Sequence, residues 1–356
     1  MPNLFNTYQL IADILSFDSS NDTLKDQLTQ PEMNWDTLVI ESSKHVSLPA
    51  LYCRLRSRKL LDVLPEELQV YLEKITSINR NRNKAILKQV DCLTQLFNTN
   101  QIDHVFLKGA ALLAAGYYED LGERMIGDID ILVAKNQVDI AFDLLIQQDY
   151  IPSAQTLGAA FFEHKHLPRL TKKKHIAAIE IHRKLFINYQ HDELSNTCII
   201  SHKQRINLTA IPSPKHLAMH NILNHQINDY GRLYRSTNFR TAYDTLLILR
   251  KNTNINFQDL QKTSPIKHYF KYFKIHFNTL GQPSKRTYRY ALGLYRFKLR
   301  HVKFQRFWHK LVTLYIFMSS LTTRLYMFLC NSDYRIAIFS DRKRVIHHLK
   351  SRLHLK

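Results

Sequence analysis

The chain has 356 residues, 45% of them hydrophobic, and a formal net charge of +20 at pH 7. This composition is typical of a folded globular protein and excludes an intrinsically disordered or fibrous chain. The length allows two domains, or one core with appended helices. The four cysteines lack the spacing of a disulfide framework, and no basic segment precedes the first apolar residues. We therefore expect reduced thiols in a cytoplasmic protein without a secretory signal.

The first 98 residues carry the pattern of several short helices. Apolar residues recur at helical spacing, most clearly at Ile86, Val90 and Leu93. Three prolines divide the region into segments: Pro31, Pro49 and Pro65. Because nothing in this region suggests chemistry, we predict a helical region that covers the sheet or helps to shape the acceptor site.

A short apolar run over residues 102–107 predicts a strand that ends at Lys108-Gly109, and residues 110–115 predict a helix. At such a junction, free backbone N–H groups and a lysine can bind an anion. The alternative is an ordinary strand–helix connection in which Gly109 eases a tight turn.

The most informative segment is residues 125–133, Met-Ile-Gly-Asp-Ile-Asp-Ile-Leu-Val. Apolar residues alternate with Asp128 and Asp130, which predicts a strand with both carboxylates on one face. Like charges this close repel, and a divalent cation such as Mg²⁺ would relieve the repulsion. The alternative is a strand with a solvated polar face.

Two further elements follow this strand. The apolar spacing in residues 136–148 predicts a helix, with Asn136 as its N-cap. In residues 175–185 the alternation predicts another strand, on which Glu180 and His182 share one face. A third carboxylate on a neighbouring strand would complete a metal-binding cluster and could accept the proton of an attacking hydroxyl.

Three motifs in this order resemble those of the uncharacterised nucleotidyltransferase family, which belongs to the DNA polymerase β-like nucleotidyltransferase superfamily. They are Phe-Leu-Lys-Gly-Ala-Ala-Leu at 106–112, Arg-Met-Ile-Gly-Asp-Ile-Asp-Ile-Leu-Val at 124–133, and Ile-Glu-Ile-His-Arg at 179–183. The resemblance covers roughly residues 100 to 250. It implies an α/β (α+β) fold with a small mixed sheet, flanked by N-terminal and C-terminal helical regions. It also implies transfer of a nucleoside monophosphate from an NTP to an acceptor hydroxyl, with release of pyrophosphate.

The resemblance assigns roles to individual residues. Asp128, Asp130 and Glu180 match the three catalytic carboxylates, which would bind two Mg²⁺ or Mn²⁺ ions. Gly109 matches the glycine of the superfamily's Gly-Gly or Gly-Ser turn, but here no serine follows it to donate to phosphate. Lys108 would compensate as a point charge.

Two more residues complete the expected nucleotide-binding set of Lys108, Gly109, Arg124 and His182. Arg124 lies four residues before the first aspartate and would add positive charge near the phosphates, the alternative being a solvated loop arginine. His182 shares a strand face with Glu180 and is included for that reason.

Beyond the motifs, Pro212-Ser213-Pro214 predicts a loop with Ser213 as a helix cap, followed by helices over residues 215–228 and 237–250. Asp244 sits among the apolar residues of the second helix, as an aspartate does in the family's corresponding helix. Such helices bind the base and sugar in part of the superfamily. We favour the alternative, helices that pack on the sheet with Asp244 paired.

Nearly all of the excess charge lies in the last quarter of the chain. Residues 265–356 contain 20 Lys and Arg against two acids, a net charge of +18. Aromatic residues are interleaved with the charge: Tyr288, Tyr290, Tyr295, Phe297, Phe304, Phe307 and Trp308. Such a surface binds nucleic acid through phosphates and stacking, or lies on an anionic membrane. Plain packing with a solvated basic face is the third alternative.

The apolar segment 311–330 favours the membrane alternative slightly. Arg324 within it makes a membrane-spanning helix unfavourable. A buried hairpin, an interfacial helix or a partner groove would suit the segment better. Peripheral attachment at the inner membrane surface is therefore an alternative to a purely cytoplasmic location.

We predict four regions: a helical N-terminal region (1–98), the catalytic core (99–210), helices that complete the core (211–284) and a basic, aromatic-rich helical region (285–356). The predicted function is metal-dependent nucleotidyl transfer to an unidentified acceptor. The alternative is a non-catalytic nucleotide- or nucleic-acid-binding protein on the same fold. The base of the NTP, the acceptor and the oligomeric state do not follow from the sequence.

Overall fold

A computed structural model describes residues 3–154, 159–277 and 285–346, without the side chains of 159 and 285–291. Predictions for 278–284, for 347–356 and for the side chains of Tyr288 and Tyr290 lie outside this description. Helices and a small mixed sheet make up the chain, which confirms the predicted α/β class. The division into four regions stays a prediction.

The helices come in three groups along the chain. The first group is α1 Leu4–Leu15, α2 Asn21–Leu28, α3 Trp35–Lys44, α4 Leu48–Ser57 and α5 Glu66–Thr99. The second, around the sheet, is α6 Lys108–Ala114, α7 Val138–Gln147, α8 Asn196–Ser201, α9 Pro214–Leu223, α10 Gly231–Tyr234, α11 Phe239–Lys251, α12 Phe257–Leu260 and α13 Ser264–His276. The third is α14 Lys285–Arg300, α15 Val302–Cys330 and α16 Ser332–Ser340.

Seven strands form two sheets in the described residues. They are β1 His104–Phe106, β2 Asp128–Val133, β3 Ile151–Pro152, β4 Leu170–Thr171, β5 Ala178–His182, β6 Gln204–Ile206 and β7 Thr209–Ile211. The main sheet has the order β1-β2-β5-β4-β3, in which β2 and β5 are parallel and the other neighbours are antiparallel. The small β6–β7 hairpin packs against β1 and α5.

Strand β2 alternates as the sequence predicts. Ile129, Ile131 and Val133 are fully buried on one face, and on β5 Ile179 and Ile181 are equally buried. The opposite face of these strands carries the polar side chains. The core therefore fixes the register of β2, because a slip of one residue would bury both aspartates in the apolar layer.

Helix α5 holds the segment that leads into β2. Its buried Asn79 and Asn83 side chains donate to three backbone carbonyls within residues 121–124, at 2.6–2.7 Å. Farther along the helix, buried Gln89 donates to the carbonyl of Ala177, just before β5, at 2.8 Å. Buried carbonyls need such partners, so one long helix positions the start of both central strands.

One local prediction was wrong, and one of three alternatives for a second segment is excluded. Asn136 does not cap α7, because residues Lys135–Gln137 form a 3₁₀ turn and Gln137 occupies the cap position without a side-chain bond. Residues 311–330 form no hairpin, since they belong to the continuous 29-residue helix α15. By contrast, Ser213 caps α9 as predicted, accepting a hydrogen bond from the His216 backbone.

Replacing Asn83 by alanine tests whether the hydrogen bonds from α5 stabilise the segment before β2. The change removes the donor of two buried carbonyls, so we expect the free energy of unfolding to fall by about 2 kcal/mol. Asn81→Ala, on the exposed side of the same helix, should change it by less than about 0.5 kcal/mol. Chemical denaturation measures both, and equal effects would contradict this role of Asn83.

Candidate functional site

The three predicted carboxylates lie on one face of the two parallel strands. Asp130 and Glu180 are register partners across β2 and β5, so their side chains emerge next to each other. Oxygen atoms of both, and a ring nitrogen of His182, lie within 4.8 Å of one another. Exposure decreases from the Asp128 side chain at 32% to Glu180 at 14% and Asp130 at 2%. The cluster is therefore open on the side of Asp128.

Basic side chains neutralise the cluster. The Lys108 ammonium lies 2.5 Å from Asp130 Oδ1. The Arg169 guanidinium lies 2.9 Å from Asp128 Oδ2 and 3.9 Å from Glu180 Oε1, and so bridges two carboxylates. Without such partners, three neighbouring carboxylates would repel each other strongly in a partly buried site.

The pKa shifts follow from this arrangement. Burial raises the pKa of Asp128, and the charges of Asp130 and Glu180 raise it further. Burial alone would raise the pKa of Asp130 too, but Lys108 and His182 hold it well below its usual range. For Lys108, burial acts downward, and the neighbouring carboxylates outweigh it and raise the pKa. Asp130 and Lys108 therefore form a charged pair at neutral pH.

His182 positions Asp130. Its ring is 1% exposed, and burial lowers its pKa, which favours the neutral ring. Nε2 lies 2.8 Å from Asp130 Oδ1, and because a carboxylate only accepts, Nε2 is the donor. Nδ1 is buried without a hydrogen-bond partner among the described residues. The His182 ring thus orients the Asp130 carboxylate through this one hydrogen bond.

The turn between β1 and α6 differs from a simple glycine turn. Lys108 itself adopts the left-handed conformation, with φ of +50°, which is uncommon for a residue other than glycine. Gly109 is required for packing, because a Cβ there would lie 2.8 Å from Ile126 Cγ1. The close approach of α6 to Ile126 holds Lys108 against the carboxylates. Such a strained residue at a charged cluster points to function.

Arg124 makes contacts other than the expected ones to a nucleotide. Its Nε lies 3.0 Å from Asp244 Oδ2 on α11, and both side chains are buried. The hydroxyl of Tyr118 donates to the same carboxylate at 2.6 Å. The favoured prediction of a paired Asp244 is confirmed. The predicted role of Arg124 in nucleotide binding stays a prediction. In this structure the charge of Arg124 is paired with Asp244.

Three basic residues at the site were missed as functional candidates. Lys165, His166 and Arg169 lie in a segment before β4, where His166 forms an isolated bridge with His182. His166 Nε2 lies 3.7 Å from Glu180 Oε2. Burial lowers the pKa of Lys165, and the positive charge of Lys108 lowers it further, which places Lys165 close to the cluster. Four basic residues within 164–169 were a visible signal, but nothing in the sequence indicated which strand they would face.

A cavity of about 890 Å³ lies beside His166, and none of the three carboxylates lines it. Residues that follow β2 and β5 line it, together with the segment 160–168. His166 lines this cavity and also contacts Glu180, so it connects the two. The walls combine aromatic rings such as Phe186 and Tyr189 with polar groups, which is usual for a small-molecule site.

The donor set fits a hard divalent cation. Asp128, Asp130 and Glu180 provide the carboxylate oxygens that Mg²⁺ and Mn²⁺ prefer. His182 Nε2 is close enough to belong to the cluster, although in this structure it donates to Asp130. The residues present therefore suit the expected ions.

A mixed sheet that presents three carboxylates beside basic side chains is suited to transfer of a phosphate-containing group. A family model described as an uncharacterised nucleotidyltransferase matches residues 31–264, about two thirds of the chain. The chain therefore belongs to the uncharacterised nucleotidyltransferase family. Membership indicates nucleotidyl transfer in general, with an NTP as substrate. No curated protein matches the chain.

Asp244→Asn tests whether Arg124 has a structural role. Removing the charge of Asp244 leaves the buried guanidinium unpaired, so we expect the free energy of unfolding to fall by about 3–5 kcal/mol. Asp259→Asn, at an exposed ion pair with Lys262, should leave it nearly unchanged. Thermal and chemical denaturation measure both. Unchanged stability with weaker nucleotide binding would instead support the nucleotide role of Arg124.

Proposed function

We propose that this protein is a metal-dependent nucleotidyltransferase that transfers an NMP group from an NTP to an acceptor hydroxyl. The observation that carries the proposal is the pairing of Asp130 with Glu180 across parallel strands, with Asp128 on the same face. Family membership supports nucleotidyl transfer in general. The metal dependence, the release of pyrophosphate and the roles of single residues are our proposal.

The reaction balances without a further reactant. The acceptor oxygen attacks the α-phosphorus of the NTP, and the bond from that phosphorus to the bridging oxygen of the β-phosphate breaks. Pyrophosphate leaves, and the acceptor proton passes to a carboxylate. Glu180 is our candidate, because His166 links it to the cavity in which an acceptor would lie.

Asp128, Asp130 and Glu180 would hold the Mg²⁺ or Mn²⁺ ions. The family resemblance implies two such ions. When bound, such ions neutralise phosphate charge and make the attacking hydroxyl more acidic. His182 keeps the Asp130 carboxylate in one orientation through its hydrogen bond of 2.8 Å. It is therefore a positioning residue in this proposal.

The basic residues of the site would bind the triphosphate. Lys108 and Arg169 now pair with Asp130 and Asp128, and Lys165 lies nearby. A triphosphate that arrives with metal ions would exchange partners: the carboxylates would turn to the metal and the basic groups to phosphate oxygens. The net charge of the site would change little, which lowers the cost of binding.

The cavity beside His166 is our proposed acceptor site. Its volume of about 890 Å³ suits a small molecule or a single side chain of a larger acceptor. Four of its charged lining residues form two pairs, Arg183 with Asp139 at 3.2 Å and Lys184 with Glu163, and Lys135 and Asp192 also line it. Aromatic and neutral polar groups are thus the main contacts left for an acceptor.

Asp128→Asn separates catalysis from binding. With Mg²⁺ or Mn²⁺ and each NTP in turn, we expect the unmodified protein to release pyrophosphate, with cell extract as the source of acceptor. Asp128→Asn should reduce this rate by about 10²–10³-fold, because it weakens the binding of the metal ions that would neutralise the reacting phosphates. Asp143→Asn, at an exposed position on α7, is the matched control and should release pyrophosphate at the rate of the unmodified protein.

The same assay tests the non-catalytic alternative. Mass spectrometry of the protein and of the extract would show the transferred group. If no NTP gives pyrophosphate or a mass increase, yet a nucleotide binds equally well to both variants, the protein is a nucleotide-binding protein on this fold.

Metal binding can be measured without turnover. A ligand that binds only the folded protein raises the melting temperature, so Mg²⁺ or Mn²⁺ should raise it after treatment with EDTA. The shift should be lost in the double variant Asp128→Asn, Glu180→Gln and kept in Asp143→Asn. A shift of equal size in both variants would show that the ions bind elsewhere.

A further inference from the structure

Helix α15 presents an uncovered apolar face. Its residues fall on one side of a helix with 3.6 residues per turn and are 45–75% exposed: Phe307, Leu311, Leu314, Tyr315, Met318, Leu325, Tyr326 and Leu329. At 1.5 Å per residue the face extends for about 33 Å. None of the 29 residues of α15, all of them described, is fully buried. Single exposed apolar residues are ordinary, but a continuous stripe of this length marks an interaction surface.

The opposite face of α15 contacts the body of the protein. The Thr313 hydroxyl lies 3.1 Å from the Tyr234 hydroxyl, and the His309 ring packs on the Tyr234 ring. Farther along, the Arg324 guanidinium lies over the ring of Phe162, 5.0 Å from its centroid. These contacts hold the helix along the surface with its apolar face outward.

Arg324 is the one charged residue between positions 311 and 330 of the sequence. Because it turns to Phe162, the apolar face carries no charge over this length. By length and composition α15 is the one described helix that could cross a membrane. Its contacts with Tyr234 and Phe162 favour instead a helix that lies in the plane of a surface.

Basic residues flank the apolar face at both ends. Residues 285–310 contain nine Lys and Arg, of which Lys298 is buried and donates to backbone carbonyls, and residues 335–344 contain four more. Residues 285–346 contain two acids, Asp333 and Asp341, which leaves a net charge of +12. The partner of this surface must therefore be both apolar and anionic.

We propose that α15 docks on the surface of a lipid bilayer with anionic headgroups. Leucine and phenylalanine side chains would enter the boundary between headgroups and acyl chains, while flanking Lys and Arg bind the headgroups. Tyr315 and Tyr326, which are exposed on this face, are of the type that favours this boundary. A nucleic acid would neutralise the charge but would leave the aliphatic face uncovered. In a dimer, the net charge of +12 on one copy would repel the same charge on the other copy.

The test is flotation of the full-length protein with vesicles. One vesicle type contains phosphatidylcholine alone, and the other also contains phosphatidylserine. We expect binding to the anionic vesicles that weakens as salt is added. The variant Leu314→Gln, Leu325→Gln should bind at least about tenfold more weakly, because it removes two apolar side chains from the face.

A matched control keeps the test specific. Val70→Gln, Ile78→Gln changes two equally exposed apolar residues on α5 and should leave vesicle binding unchanged. Lys303→Gln, Lys310→Gln, in the first part of α15, should weaken binding to anionic vesicles about thirtyfold, at roughly 1 kcal/mol per charge. Thermal denaturation checks that each variant is folded.

Three results would overturn the proposal. The first is no vesicle binding, or binding that the leucine variant does not change. The second is binding to RNA or heparin without binding to anionic vesicles. The third is a dimer in light scattering, without lipid, that dissociates in the leucine variant, because then a second copy covers the face.

Discussion

The parallel pairing of β2 with β5 is the constraint on which the rest of the structure depends. It places Asp130 directly beside Glu180, with Asp128 on the same face. Three carboxylates in a partly buried space repel each other unless cations neutralise them. Lys108 and Arg169 supply those cations here, at 2.5 and 2.9 Å from their nearest carboxylate oxygens. The protein's own basic side chains thus neutralise the cluster.

Much of the remaining fold serves that pairing. Helix α5 binds the backbone just before both strands through Asn79, Asn83 and Gln89, so the N-terminal helices do more than cover the sheet. On the other side, Asp244 on α11 neutralises Arg124 in the same segment. Each of these bonds satisfies a buried group that would otherwise destabilise the segment. The candidate site therefore rests on long-range contacts from both ends of the family-matched region.

Short-range patterns predicted much of the site. Alternation identified the strand with Asp128 and Asp130, and it placed Glu180 and His182 on a common face, as the structure shows. Other features depend on contacts that no local pattern records. Arg169 reaches two carboxylates from a segment without clear periodicity, and a 3₁₀ turn displaced the expected cap at Asn136. Likewise, the orientation of the Arg324 side chain depends on its contact with the ring of Phe162, which is far away in sequence.

The sequence by itself determined the strands β1, β2 and β5, the helical regions, the family and the excess of charge near the C-terminus, because these depend on residue order and composition. Only the tertiary structure decided which charges neutralise which. It paired Lys108 with Asp130 and Arg124 with Asp244, and it left one face of α15 apolar and uncovered. The physical reason is that a charge takes the nearest partner in space once burial removes water, and chain folding sets that distance.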